Sequence, residues 1–554
     1  MRKDATMQPA NGQPVIEVLP RVYRAVPAPQ RALEELQAEL YAEVRAKGRP
    51  VRQLVTALLD RRNLYAAWRF VRSNDGADTP GVDGMTCKEL DQSEAADALP
   101  RLFEQISHDI LHGCYRPHPP RWVDVPKPDG GTRRLGILTV RDRIVHAALK
   151  NVLEPILEPV FTYASFGFRP GRSTAAALYE VLRYANPDDH GRLVYPYAMH
   201  LDIKDCFDTV DHTHLFAALS EHVADATVLQ LLRQLLQACA HRARYWFRTY
   251  YVGLLQGSVL SPLLCNLALH TLDREMLSMR SATQKGIVYF RYADDLLMLA
   301  RTEELARKAF RSARAVLQSM GQHFGVRKPN IVHLSQGVDW LGVRIRVSTN
   351  PWTGKLQPGF VIPDERVREM IQRLHEMTVP PSAKLSEQTF DLGQWIISLN
   401  RQLTGWHTAY QFADNFYEVA RTLDDLLQRR FEELLMAVTG KGRQYVCGTY
   451  RTRLLRGFST WQVDGQQLMV LSSEAPRCPN PKKLNTRPAW MRPPHSIGSP
   501  EVNQVPWVQN LPPQALPQPA GQFQQPGGQQ QPANPPVPIQ QPAPQTQPNS
   551  ETHS

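Results

Sequence analysis

Apolar positions along the chain recur with two periods. From Pro29 to about Lys47, Leu33, Leu36, Leu40 and Val44 return at three- and four-residue steps, which predicts a helix with one buried face. The same spacing predicts helices through Leu54, Leu58, Leu64, Trp68 and Val71, over residues 95–113, and over 141–160 with Ile144, Ala147, Ala148, Val152 and Ile156 inward. Further helices are predicted from Thr174, over 213–240, from Ser261 to about Met279, and over 302–320 with Thr302 as N-cap and Gly321 as C-cap. A last helical stretch runs from Gln394 and ends at Gly440, with Phe416, Val419, Leu423, Leu427, Phe431 and Leu434 on one face.

Strand-like runs interrupt these helices. Residues 122–137 read as a hairpin around a Pro-Asp-Gly-Gly turn. Residues 197–203 form one apolar run, and 287–300 form two that flank Asp294 and Asp295. Two β-like runs cover 327–334 and 338–345. Residues 345–385 are polar and broken by proline, the mark of a boundary. From about Arg477 proline, glutamine and asparagine dominate, and no Lys or Arg follows Arg492. Such a composition cannot bury enough apolar surface to fold.

Charge narrows the partner class. The chain carries 64 Lys+Arg against 53 Asp+Glu, a net +11, which suits a polyanion such as nucleic acid. A basic protein with no such partner has the same balance. The seven cysteines form no CxxC pair, so they read as reduced residues of a cytoplasmic protein rather than a zinc or disulfide framework. The N-terminus lacks the apolar core of a signal peptide, and no run of about 18 apolar residues predicts a membrane span.

Candidate chemistry gathers at the Asp294-Asp295 tip. Two adjacent anions between apolar strands repel one another unless a cation sits there, and oxygen donors favour Mg²⁺ or Mn²⁺. Asp202 stands in the apolar run 92 positions earlier (294 − 202), and a carboxylate in such a strand needs a partner. Lys127 and Arg133 flank the hairpin turn, as a cationic finger over a triphosphate or as a solvated basic turn. Gln256-Gly257 permits close backbone approach to a ligand, or is a plain helix entry. The loop at 165–174 carries Arg169 and Arg172 ahead of a helix, suited to phosphate contact or to ordinary aromatic packing. Asp208 and Asp211 read as candidate helix caps and are assigned no chemistry.

In order, these motifs resemble the bacterial group II intron-type reverse transcriptase/maturase family, from roughly Asn63 to Leu435. The resemblance rests on Gly81-Val82-Asp83-Gly84, the hairpin, Ser165–Ser173, Asp202–Phe207, Gln256–Pro262, Tyr292-Ala293-Asp294-Asp295, Lys328, Trp340-Leu341-Gly342 and Gly405-Trp406. Arg134 and Leu138 stand where the family commonly has proline, and the family's frequent Cys/His-rich endonuclease segment is missing. The resemblance implies an α+β right-hand polymerase, with fingers, a palm holding an antiparallel sheet and an all-α thumb, to which the Pro/Gln-rich composition adds a disordered tail. The implied domains are a partly flexible N-terminal extension (1–50), fingers and palm (51–348), a linker (349–390), a helical thumb or maturase-like domain (391–475) and the tail (476–554).

It further implies Asp202, Asp294 and Asp295 as catalytic residues and ligands of two Mg²⁺ ions, with Mn²⁺ as a substitute. Phe207 would be a gate against the ribonucleotide 2′-OH. Lys127 and Arg133 would hold the triphosphate, Gln256 would contact the nucleotide, and Lys328 would assist the leaving group. The implied partners are an RNA template, a DNA or RNA primer, dNTPs and intron RNA. Two other roles stay open on the residues: a domesticated relative in phage defence or DNA repair, and a non-catalytic RNA-binding splicing factor. Intact carboxylates, Phe207 and Gln256 argue against the second.

Overall fold

A computed structural model describes residues 29–47, 50–92, 97–126, 131–245, 248–351, 353–379, 391–454 and 459–473. The expected flexible start, the hairpin turn with Lys127, and the tail lie outside the described residues.

The chain opens with α1 (Pro29–Lys47), α2 (Leu54–Leu58), α3 (Arg61–Arg72), α4 (Cys87–Asp91) and α5 (Ala98–Leu111). The antiparallel hairpin β1 (Arg121–Pro126) and β2 (Thr132–Ile137) precedes α6 (Val140–Leu157) and α7 (Thr174–Ala185). Next come β3 (Tyr197–Asp202), α8 (His212–Ser220), α9 (Ala226–Cys239) and a second hairpin, β4 (His241–Tyr245) with β5 (Arg248–Val252). The chain continues through α10 (Ser261–Ala268), α11 (His270–Ala282), β6 (Ile287–Tyr292), β7 (Asp295–Ala300) and α12 (Glu303–Ser319). Then follow β8 (Ile331–His333), β9 (Val338–Trp340), β10 (Val343–Thr349), β11 (Leu356–Val361) and α13 (Asp364–Met377). The last described part holds α14 (Leu392–Tyr410), α15 (Phe416–Thr439), α16 (Arg443–Tyr450), β12 (Arg451–Arg453), β13 (Ser459–Val463) and β14 (Gln466–Gln467).

The central sheet is antiparallel, in the order β6-β7-β3-β8. Successive side chains of a strand point to opposite faces, and here both faces are covered. Met199, Leu201, Ile287, Tyr289, Leu296 and Met298 enter one core, with α3, α6 and α9 through α12. Ala198, Val288, Phe290, Leu297 and Leu299 enter a second core, with α7, β9, β10, α14 and α15. Burial on both faces explains why these strands read as continuous apolar runs rather than as alternation. It also leaves the strand ends as the place where polar groups can gather.

Three expectations need correction. The module at 391–475 is not all-α, because β12, β13 and β14 form a small sheet. Thr460, Trp461 and Val463 bury their side chains there, and Asp464-Gly465 makes the turn with positive φ at both residues. The apolar run 338–345 is two strands, because Leu341 and Gly342 both take positive φ and reverse the chain. The stretch 349–390, expected as a linker, contributes β11 and α13. Phe360, Ile362, Met370 and Leu374 from it are buried in the second core.

Candidate active site

The carboxylates are collected by strand register. Asp202, at the end of β3, pairs with Asp295, the first residue of β7. Asp294 lies in the turn that joins β6 to β7, and its carbonyl accepts from Ile203 N at 3.1 Å. The three acids therefore share one end of the sheet. Burial and the neighbouring Asp294 and Asp295 push the Asp202 carboxyl up to about 6. Burial raises Asp294 as well, while Arg133 and Arg291 pull it back down. Carboxylates raised by burial and, at Asp202, by neighbouring acids form a donor set that favours a hard divalent cation.

The turn itself is strained and clamped. Ala293 has φ 59°, the left-handed region that disfavours an L side chain. Its carbonyl accepts from Arg291 Nη1 at 2.9 Å. Arg291 is fully buried and paired with Asp273 at 2.6 Å, and it also reaches Asn266 and Ser165. From the other side the backbone of Gly167 closes on the turn, where an added Cβ would lie 2.4 Å from Ala293 N.

Beside the acids, one hydrogen-bond chain spans three segments. Arg133 Nε on β2 donates to Gln256 Oε1 at 2.6 Å. Gln256 Nε2 donates to Asp208 at 3.2 and 3.1 Å, on a short 3₁₀ turn begun by Phe207. Gly136 N on β2 donates to Gln256 O at 3.0 Å, and Gly257, at φ 110°, faces the Gly136 carbonyl too closely for a side chain without displacement. Trp122, Arg134, Asp208 and Gln256 line a pocket at this junction. Phe207 is partly buried, with its carbonyl accepting from Leu254 N at 2.7 Å. Behind the loop, buried His146 Nδ1 meets Ser258 Oγ at 2.7 Å.

The structure thus joins Asp202, Asp294 and Asp295, and it links Arg133 to Gln256. Lys328 is exposed between α12 and β8, a segment tied to the acids through Gly325 N donating to Asp202 O at 3.0 Å. Arg169 is not available for phosphate. It is buried against Glu158 at 2.6 Å and donates to the Thr162 and Ser165 carbonyls. Arg172 donates to the Tyr163 carbonyl and lies over Phe166. Of the two suspected caps, Asp211 does cap α8, whereas Asp208 holds the Gln256 amide. His200 was not singled out, yet its Nε2 meets Asp295 Oδ1 at 2.6 Å, which raises its pKa.

Comparison with known proteins places this geometry. The family profile described as reverse transcriptase (RNA-dependent DNA polymerase) matches residues 125–345. Protein YkfC of Escherichia coli is 31% identical over 353 residues, which is 58% of this chain and 90% of that one. The chain belongs to the group II intron-type reverse transcriptase family. The group II intron-encoded protein LtrA of Lactococcus lactis is 32% identical over 217 residues, 39% of this chain and 34% of LtrA. A 91 kDa protein in a cob intron of Schizosaccharomyces pombe is 28% identical over 292 residues, again covering 34% of that protein. As a member of this family the chain is an RNA-directed DNA polymerase, an enzyme class that works with divalent metal ions. No helix among the described residues is long and apolar enough to cross a membrane.

Proposed function

We propose that the protein is a right-hand polymerase that copies RNA into DNA by two-metal nucleotidyl transfer, with Asp202, Asp294 and Asp295 as metal ligands. The observation that carries this reading is the Asp202–Asp295 register pair with Asp294 beside it in the β6–β7 turn. When bound, two Mg²⁺ ions, or Mn²⁺ in their place, would supply activation of the primer 3′-OH and charge neutralisation at the leaving pyrophosphate. The chain's own part is placement. Arg133 and Lys127 would bind the triphosphate, Gln256 would orient the nucleotide, and Phe207 would bar a 2′-OH. Lys328 would donate a proton on the leaving-group side. The fingers and palm would span 51–348, and the helical region at 391–475 would act as thumb and intron-RNA-binding element. The substrates would be an RNA template, a DNA or RNA primer and dNTPs, with intron RNA as a second partner in the bacterial cytoplasm.

The test is primer extension on an RNA template with dNTPs and Mg²⁺. Wild type extends the primer. Asp294→Ala removes a ligand contribution of several kcal/mol and slows extension by about a thousandfold. Extension by Asp294→Ala at the wild-type rate would refute the site. A splicing assay on the RNA encoded around the gene reads the maturase role separately.

A further inference from the structure

We propose that the C-terminal end of α5 binds one zinc-class transition-metal ion through His108, Asp109 and Cys114, at a place separate from the catalytic carboxylates. The backbone builds the cluster. α5 ends at Leu111, and Gly113, at φ 66°, turns the chain back over the last helical turn. Cys114 N and Tyr115 N then both donate to the Asp109 carbonyl at 2.9 Å. This return sets the Cys114 thiol beside the Asp109 side chain, five positions away in sequence.

The donor spacing fits one small ion. His108 Nδ1 lies 3.4 Å from Asp109 Oδ1, and Cys114 Sγ lies 3.6 Å from the same oxygen. Tetrahedral zinc with nitrogen, oxygen and sulfur ligands has donor–donor edges of about 3.3 to 3.6 Å. All three donor atoms lie within 4.8 Å of one another, so the remaining edge closes by at most about 1.2 Å to reach that range.

The ligands are supported from behind. The other Asp109 oxygen accepts from Arg141 Nη2 at 2.6 Å. Arg141 is itself held over the Tyr115 ring at 4.1 Å. This fixes the carboxylate and leaves Oδ1 facing the cluster, the role an outer-shell partner plays at a metal site. His112 stacks on His108 at 4.2 Å, and its Nδ1 bonds the His108 carbonyl at 2.8 Å, which limits the His108 ring.

The donor chemistry sets the metal class. Thiolate and imidazole favour Zn²⁺ and its neighbours, whereas the all-oxygen set at the polymerase site favours Mg²⁺. His108 and Cys114 are exposed, so an ion can enter and solvent can complete its coordination. Binding sends the Cys114 thiol proton to solvent and changes no other bond to hydrogen. The occupied site would fasten α5 to the segment that enters β1.

Co²⁺ tests the proposal directly. The full-length chain, reduced and stripped with a chelator, is titrated with Co²⁺ and followed by the charge-transfer absorption of a cobalt–thiolate bond. The expected result is one Co²⁺ per chain, displaced by Zn²⁺ and retained in excess Mg²⁺. Cys114→Ser loses the band, and His108→Ala binds at least about tenfold more weakly. Both variants keep the metal-free melting temperature and the Mg²⁺-dependent primer extension of wild type. Absence of the band in wild type overturns the proposal, as does a band that persists in Cys114→Ser.

Discussion

Asp208 carries more than its sequence context suggested. It follows Phe207 in a polar stretch where a helix cap was the economical reading, and Asp211 three residues on took that role. What distinguishes Asp208 is a partner 48 positions away, a separation that no local pattern encodes. By accepting from Gln256 Nε2 it fixes which end of the amide faces Arg133. Removing it frees the amide to rotate, which would cost nucleotide placement rather than chemistry. Asp208→Ala is expected to raise the KM for dNTP about tenfold with little change in kcat, the scale of one hydrogen bond to a charged group. Asp208→Asn keeps an acceptor and is expected to fall between. Steady-state primer extension separates the two parameters, and a fall in kcat at constant KM would contradict the positioning role. Arg291 was not singled out in the sequence, although its residue type carries a signal. A lone arginine inside an apolar run must find a counter-charge when buried, and Asp273 supplies it. The clustering of the acids was legible because two adjacent aspartates in an apolar run conflict with burial.

At the scale of elements, the sheet strands were readable and the small sheet near the C-terminal end of the described chain was not. β6 and β7 are apolar on both faces because helices cover both, and long apolar runs survive any error in register. β12, β13 and β14 are three, five and two residues long, too short for a period of two to stand out beside α14 and α15. The loop before α7 left two readings open, phosphate contact or aromatic packing, and the structure favours packing. Its arginines looked free for phosphate, but Glu158 and the carbonyls that hold Arg169 come from an earlier helix end and from the loop itself. That loop supports the Ala293 turn through Gly167, whose position has no room for a side chain. Gly167→Ala is expected to push the Ala293 turn away from β3 and to destabilise the fold by about 1–3 kcal/mol. Primer extension should fall further than that loss of stability accounts for, because the turn carries Asp294. Thermal melting with activity on the folded fraction checks this. Full activity of folded Gly167→Ala would show that the turn tolerates the shift.

Across the whole molecule, buried titratable groups set how stability changes with pH. His146 is buried in α6, and burial lowers its pKa to about 4. It meets Ser258 directly, and the nearby Asp142 carboxylate favours its charged form too weakly to offset burial. In the unfolded chain the same imidazole titrates near about 6.5. Above that pH both states are neutral, and His146 makes stability no pH dependence. As pH falls toward 4 the unfolded state takes up a proton that the folded state refuses, so stability is lost through this window and levels off below it. At about pH 5 the loss amounts to about 2 kcal/mol. The raised carboxyls of Asp202, Asp294, Glu154 and Asp424 act in the opposite sense, since they bind protons more readily folded than unfolded. A melting curve of wild type alone therefore mixes both signs. His146→Gln isolates the histidine, because the amide can still meet Ser258 and does not titrate. The stability of His146→Gln minus that of wild type should be flat above about pH 7. It should then rise by about 2 kcal/mol in favour of the variant by about pH 5. A difference that stays flat across the whole range would mean that His146 reaches solvent, and that the Gln256 loop is not sealed against α6 as the structure has it.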